Sequence, residues 1–124
     1  MKLVYEVTNI GAFQKDFGLR DQIRRAAISV MSNIAEGFGS GSDAEFVRFL
    51  GYSRRSISET QSQLYAALDI KYLSQEQFDE IYKKANETER QVNAFIGYLA
   101  NSRKQSVREN SATYFINKKD DLNI

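Results

Sequence analysis

The sequence predicts an all-α fold, an antiparallel up-down-up-down four-helix bundle that assembles as a homo-oligomer. Three observations carry this expectation. The 124 residues contain no proline, so nothing inside any segment breaks a helix. Apolar residues recur at three- and four-residue spacing through four segments joined by short connections. The stretch from Asp16 to Gly37 is apolar on two sides rather than one.

The first segment, Met1 to Phe13, carries Leu3, Val4, Val7 and Ile10 on a helical stripe and is closed by Gly11. It is only about three turns long, which suits the remnant of a longer helix whose start lies upstream. The second opens at Asp16, whose carboxylate can cap the freed N–H groups of the first turn. Leu19, Ile23, Ala26, Ala27, Val30 and Ile34 form its core stripe. Ile28, Met31 and Ala35, with Arg24 among them, form a second apolar side. A chain of this length is one domain and does not easily bury a helix on both sides. The second side is therefore expected to be a subunit interface. Gly37 and Gly39 are read as residues leaving the helix with positive φ, before Gly39-Ser-Gly-Ser42 turns the chain.

Ser42 and Glu45 form a capping box for the third helix. Its core stripe is Phe46, Phe49, Leu50, Ser53, Ile57, Thr60, Leu64, Ala67 and Leu68, and Asp69 to Tyr72 makes the following turn. Ser74 and Gln77 form a second capping box. The fourth helix then carries Phe78, Ile81, Tyr82, Ala85, Val92, Ile96 and Leu99 to about Arg103. Residues 1–103 are thus one bundle domain. Residues 104–124 are a polar tail, expected to be flexible, with Tyr114-Phe-Ile116 as its one apolar cluster.

Composition removes several chemistries. There is no cysteine and no histidine, so disulfides, thiolate metal sites, cysteine nucleophiles and histidine bases are all absent. The di-iron template of helical bundles, which needs Glu-x-x-His pairs, fails for the same reason. Glu36, Glu59 and Glu89 could ligate a hard cation as carboxylates alone, but pairing with Arg24, Arg25 or Arg55 is the better reading. Ser29 and Ser32 lie near Arg24, Arg25 and Lys15 without a positioned base or oxyanion site. Ser29 is expected to bond its i−4 carbonyl or an adjacent side chain. The loop from Gly37 to Ser42 lacks the strand and the Gly-Lys-Ser/Thr of a phosphate cradle. No catalytic residue, cofactor or metal is therefore assigned, and an enzyme would be left with carboxylate and lysine chemistry only. No transmembrane-length run or signal peptide appears, and the expected location is cytoplasmic.

Two sets of polar residues remain. Between the two apolar sides of the second helix lie Gln22, Arg25, Ser29, Asn33 and Glu36. Arg25, Ser29, Asn33 and Glu36 are expected to join Glu59 and Glu89 in a buried polar network. Glu89 interrupts the core stripe of the fourth helix, and either reaches solvent there or is buried against an arginine, Arg25 first. The other set is Arg20, Arg48, Arg54 and Arg55, candidate contacts to RNA or DNA phosphates, with Tyr52 and Tyr65 as stacking surfaces. Their alternative role is pairing with Asp21, Glu36, Glu45 and Glu59, Arg55 and Glu59 being spaced i,i+4. A formal charge of +1 gives no whole-molecule pull toward nucleic acid or anionic membrane.

Leu19-Arg-Asp-Gln-Ile-Arg-Arg-Ala-Ala-Ile-Ser-Val-Met-Ser-Asn-Ile-Ala-Glu-Gly-Phe38, with Glu45-Phe-Val-Arg-Phe-Leu50 and Ser58-Glu-Thr-Gln-Ser-Gln-Leu64, resembles a bacterial four-helix-bundle family. That family is named for proteins encoded in intervening sequences of 23S ribosomal RNA genes. The resemblance covers roughly Val4 to Leu99. It implies an antiparallel bundle in a ring-shaped homopentamer. It also implies kinship with the accessory protein of diversity-generating retroelements, a pentamer that binds a reverse transcriptase and nucleic acid. That family's first helix is usually longer than the one here, and its nucleic-acid-binding members are markedly basic. For most members of that family the resemblance implies no activity; the function expected here is a non-enzymatic oligomeric scaffold or adaptor whose partner is unnamed, and the alternative is a nucleic-acid-binding accessory protein.

Overall fold

A computed structural model describes residues 1–102. Among them are five α helices and no strand. They are α1 (Lys2–Thr8), α2 (Gly11–Lys15), α3 (Phe17–Phe38), α4 (Asp43–Asp69) and α5 (Gln75–Ser102). The tail expected from Lys104 lies outside the described residues.

The first segment is two short helices rather than one. Gly11 does not close α1; it sits at φ +59°, a conformation open to glycine, and begins α2. The break turns Phe13 inward, where it is almost fully buried and stacks on Tyr72 at 5.1 Å.

The starts of the long helices follow their capping residues. Leu19 N–H donates to Asp16 Oδ1 at 3.1 Å, and Tyr72 O–H donates to the other oxygen of the same carboxylate at 2.9 Å. That second bond holds the Tyr72 proton and pushes its pKa above the ordinary phenol value. Ser74 and Gln77 cap α5 reciprocally at 2.9 and 3.1 Å. The box at α4 is half made. Ser42 Oγ accepts from Glu45 N–H at 3.1 Å, but the Glu45 carboxylate turns away to Arg48 at 2.6 Å.

The helix ends differ from expectation in one place. Gly37 lies inside α3, and Gly39 keeps a helical φ of −82°; the positive φ falls later, at Gly41, +84°. Gly37 is there for space. A Cβ on it would lie 2.8 Å from Phe49 Cβ and 3.1 Å from Phe46 Cδ1. α4 ends in a Schellman motif, with Tyr72 N–H on Ala67 O and Lys71 N–H on Leu68 O. Lys71 occupies the left-handed position at φ 63°, where glycine is usual.

The contacts fix how the long helices run. Ser53 and Ser56 of α4 reach Val30 and Ser29 of α3, and Gly37 meets Phe46, so residue numbers rise on one helix as they fall on the other. Gln61 with Asn86 and Arg54 with Asn93 show the same for α4 and α5. Neighbouring long helices are therefore antiparallel. The core has two parts along the axis. Val4, Val7 and Phe13 complete the part built on Ile23, Leu64 and Phe78. Val30, Leu50, Ile57, Val92 and Leu99 form the other.

Candidate interaction surfaces on α3 and α4

α3 buries Ile23, Ala26, Ala27, Val30, Ile34 and Gly37 on one side. On its other side Ile28 and Ala35 are exposed and Met31 is half-buried; Ile28 keeps 39% of its surface. Arg24, expected at this interface, is held by its own chain. Its Nε donates to Thr8 Oγ1 at 2.8 Å, and its guanidinium lies 4.6 Å from the Tyr5 ring centroid. Arg24 thus fastens α1 to α3. Periodicity along α3 does not reveal these partners, which lie on α1 and depend on how α1 packs against α3.

The expected buried polar network is corrected in part. Asn33 Nδ2 donates to Ser29 Oγ at 2.9 Å, and Ser56 Oγ donates to the same oxygen at 3.0 Å. These small groups line the tight α3–α4 seam. Arg25, Glu36 and Glu59 are exposed. The seam is too close for charged groups, and burying them would cost desolvation that the neighbours there do not offset, so their stems carry the charges out to water. Glu89 is half-buried. Its charge helps raise the Tyr82 pKa, after the larger effects of the Tyr65 hydrogen bond and burial. Among the described residues it makes no ion pair with Arg25. Nor do Glu36, Glu59 and Glu89 converge, since no group of three or more acidic side chains there is placed to hold a metal.

The four candidate phosphate-binding arginines do not form one patch. Arg20 sits at the start of α3, bonded to Asp21 at 2.9 Å and to the Gln14 carbonyl at 3.0 Å. Its hydrogen bond holds the Asp21 carboxyl below the usual range. Arg54 lies in the α4–α5 seam, donating to Asn93 Oδ1 at 3.0 Å. Arg48 and Arg55 come together around one ring. Arg48 lies 5.7 Å and Arg55 5.2 Å from the Tyr52 centroid, and Phe49 meets Tyr52 edge-on at 5.7 Å. Arg48 is anchored by Glu45, whose hydrogen bond raises its pKa. Arg55 makes no ion pair with Glu59 despite the i,i+4 spacing, because its guanidinium is drawn back over Tyr52.

Fold and surface together define a small all-helical protein with an uncovered apolar row on α3. No helix among the described residues is long and apolar enough to cross a membrane. The chain belongs to the 23S rRNA-intervening sequence protein family, which matches residues 1–94. No curated protein and no solved structure matches it.

Proposed function

We propose that this chain is a non-enzymatic scaffold or adaptor that works as a homo-oligomer in the cytoplasm. Its protomer is an up-down-up-down four-helix bundle in which α1 and α2 together take the place of the first helix. The assembly implied by the family resemblance is a ring of five. The observation that supports self-association is the Ile28, Met31 and Ala35 row, left uncovered on α3. Covering such a row removes apolar area from water. Light scattering tests it. The parent chain is expected at twice the mass of one chain or more, and Met31→Glu, which would bury a carboxylate at the contact, at the mass of one chain. A parent that is already single, or a variant of unchanged mass, sinks this reading.

A second reading is favoured by the Arg48–Tyr52–Arg55 group: contact with the RNA or DNA backbone. The ring pre-orients both guanidiniums, Arg48 with one edge already donating to Glu45, and a planar guanidinium suits bidentate contact with phosphate. Fluorescent RNA and DNA, titrated across a salt series, should then bind below micromolar at low salt with affinity falling steeply as salt rises. Replacing Arg48 and Arg55 with alanine should lower the salt slope by about one for each. No binding at low salt leaves a scaffold whose other partners are proteins.

A further inference from the structure

Among the exposed large apolar side chains of the described residues, three are aromatic: Tyr5, Phe17 and Tyr65. Two of them carry an arginine of their own chain. Arg24 lies 4.6 Å from the Tyr5 centroid and Arg20 lies 4.7 Å from the Phe17 centroid. Tyr65 carries none among the described residues, although at 51% it exposes more of its surface than Tyr5 at 37%. Its ring is nonetheless fixed. Phe78 and Tyr82 hold it from α5 with centroids 5.0 and 5.5 Å away, Tyr82 crossing it at 71°. A ring pinned by two others, with half its surface open, loses little side-chain entropy on receiving a ligand.

The charge around the ring selects that ligand. From Ser56 to Asp69 on α4 and from Gln75 to Tyr82 on α5 there is no basic residue. The acidic residues of the same stretches, Glu59, Asp69, Glu76, Asp79 and Glu80, are all exposed. Asp69 follows Tyr65 by four residues and Asp79 precedes Tyr82 by three, so each lies one turn from the ring on its own helix. Glu89 is also near enough for its charge to act on Tyr82. Lys83, next in sequence to Tyr82, points about 100° away around α5.

We propose that Tyr65, with Tyr82 beside it, is the docking point for an arginine presented by a basic segment of a partner protein. The guanidinium lies over the open face of Tyr65, as Arg24 and Arg20 lie over Tyr5 and Phe17, and Asp69 and Asp79 complement its charge. Arginine suits this place better than lysine. Its planar, weakly hydrated head stacks on a ring while its edge still donates to a carboxylate. The inference gives the scaffold a class of partner and makes no use of the α3 row or of the Arg48–Tyr52–Arg55 group.

Fluorescein-labelled hexa-arginine and hexa-lysine peptides, titrated against the full chain, test it. Hexa-arginine should bind at least about twofold tighter than hexa-lysine, and Tyr65→Leu should weaken it about threefold to fivefold, the loss of one exposed cation–π contact. Asp69→Asn should weaken both peptides. Tyr65→Trp should bind at least as tightly as the parent. The sequence has no tryptophan of its own, so the emission of that variant reports the site directly and should change as hexa-arginine is added. If Tyr65→Leu melts early, the tryptophan variant decides alone, and an emission that does not respond overturns the proposal. Equal affinity of parent and Tyr65→Leu overturns it too, as does no binding at low salt. A Tyr65→Leu chain of lower mass by light scattering would assign the ring to a second copy. Binding seen only after Lys118→Gln with Lys119→Gln would assign it to the chain's own tail, and either result removes the partner protein. Failure here leaves self-association standing, since that is read from the parent's mass and from Met31→Glu.

Discussion

Replacing Gly37 with leucine is expected to cost at least about 3 kcal/mol, lowering the thermal midpoint by roughly 10–20 °C. The new Cβ would fall 2.8 Å from Phe49 Cβ and 3.4 Å from Phe46 Cα. Neither atom is the far end of a flexible side chain, so α3 and α4 must move apart. That separation would stretch the Ser53 hydroxyl from the Val30 carbonyl, a bond of 2.8 Å between fully buried groups. Gly37→Ala meets the same two atoms but recovers about 1 kcal/mol of helix propensity, so it should fall between parent and leucine. Phe49→Ala should not rescue either variant, because the Cβ that obstructs is retained. Circular dichroism melts decide the matter. A leucine variant within about 1 kcal/mol of the parent would mean the helices are not this close.

The second large effect is expected from Ile57→Ala. Ile57 has no exposed surface and packs with Val30, Leu50 and Val92, so truncation removes buried methyl groups and leaves a void among three helices. The expected loss is about 2–5 kcal/mol, against roughly 0.5 kcal/mol or less for Ser58→Ala on the exposed side of the same turn. Chemical denaturation with an unchanged m-value would show the loss to be one of stability. Equal midpoints for the two variants would contradict the burial.

The positions of the long helices were legible because their starts are written in side chains that cap locally: Asp16, Ser42, Ser74 with Gln77. Their core faces were legible because periodicity alone fixes which residues share a side. What periodicity does not carry is the axial offset between one helix and the next. Arg24 illustrates this. Its face was placed, but its partners Thr8 and Tyr5 depend on how α1, which stops at Thr8, packs on α3. Gly37 illustrates the converse, since a glycine near a helix end reads as a terminator unless the approach of Phe46 and Phe49 is known. The polar residues divided by size for the same reason. Ser29, Asn33 and Ser56 fit a seam set by close packing, whereas Arg25, Glu36 and Glu59 are too long for it. On α4 the i,i+4 rule paired Arg55 with Glu59, and a competing aromatic face took the guanidinium instead.

The break at Gly11 has a consequence for the order in which the molecule opens. Helices of seven and five residues cannot hold themselves in water. α1 and α2 therefore persist only through a few anchors, chiefly Val4, Val7, Phe13 and the Arg24–Thr8 bond. Beneath α1 lies a void of about 20 Å³ bordered by Val4, Ala27, Thr60, Ile81 and Ala85, so the underside of the anchor is not fully filled. Release of the first fifteen residues is thus a local event with its own free energy, smaller than that of global unfolding. Amide protons of α1 would trade with solvent deuterium ahead of those at the centre of α4, which are freed only when the three long helices come apart together.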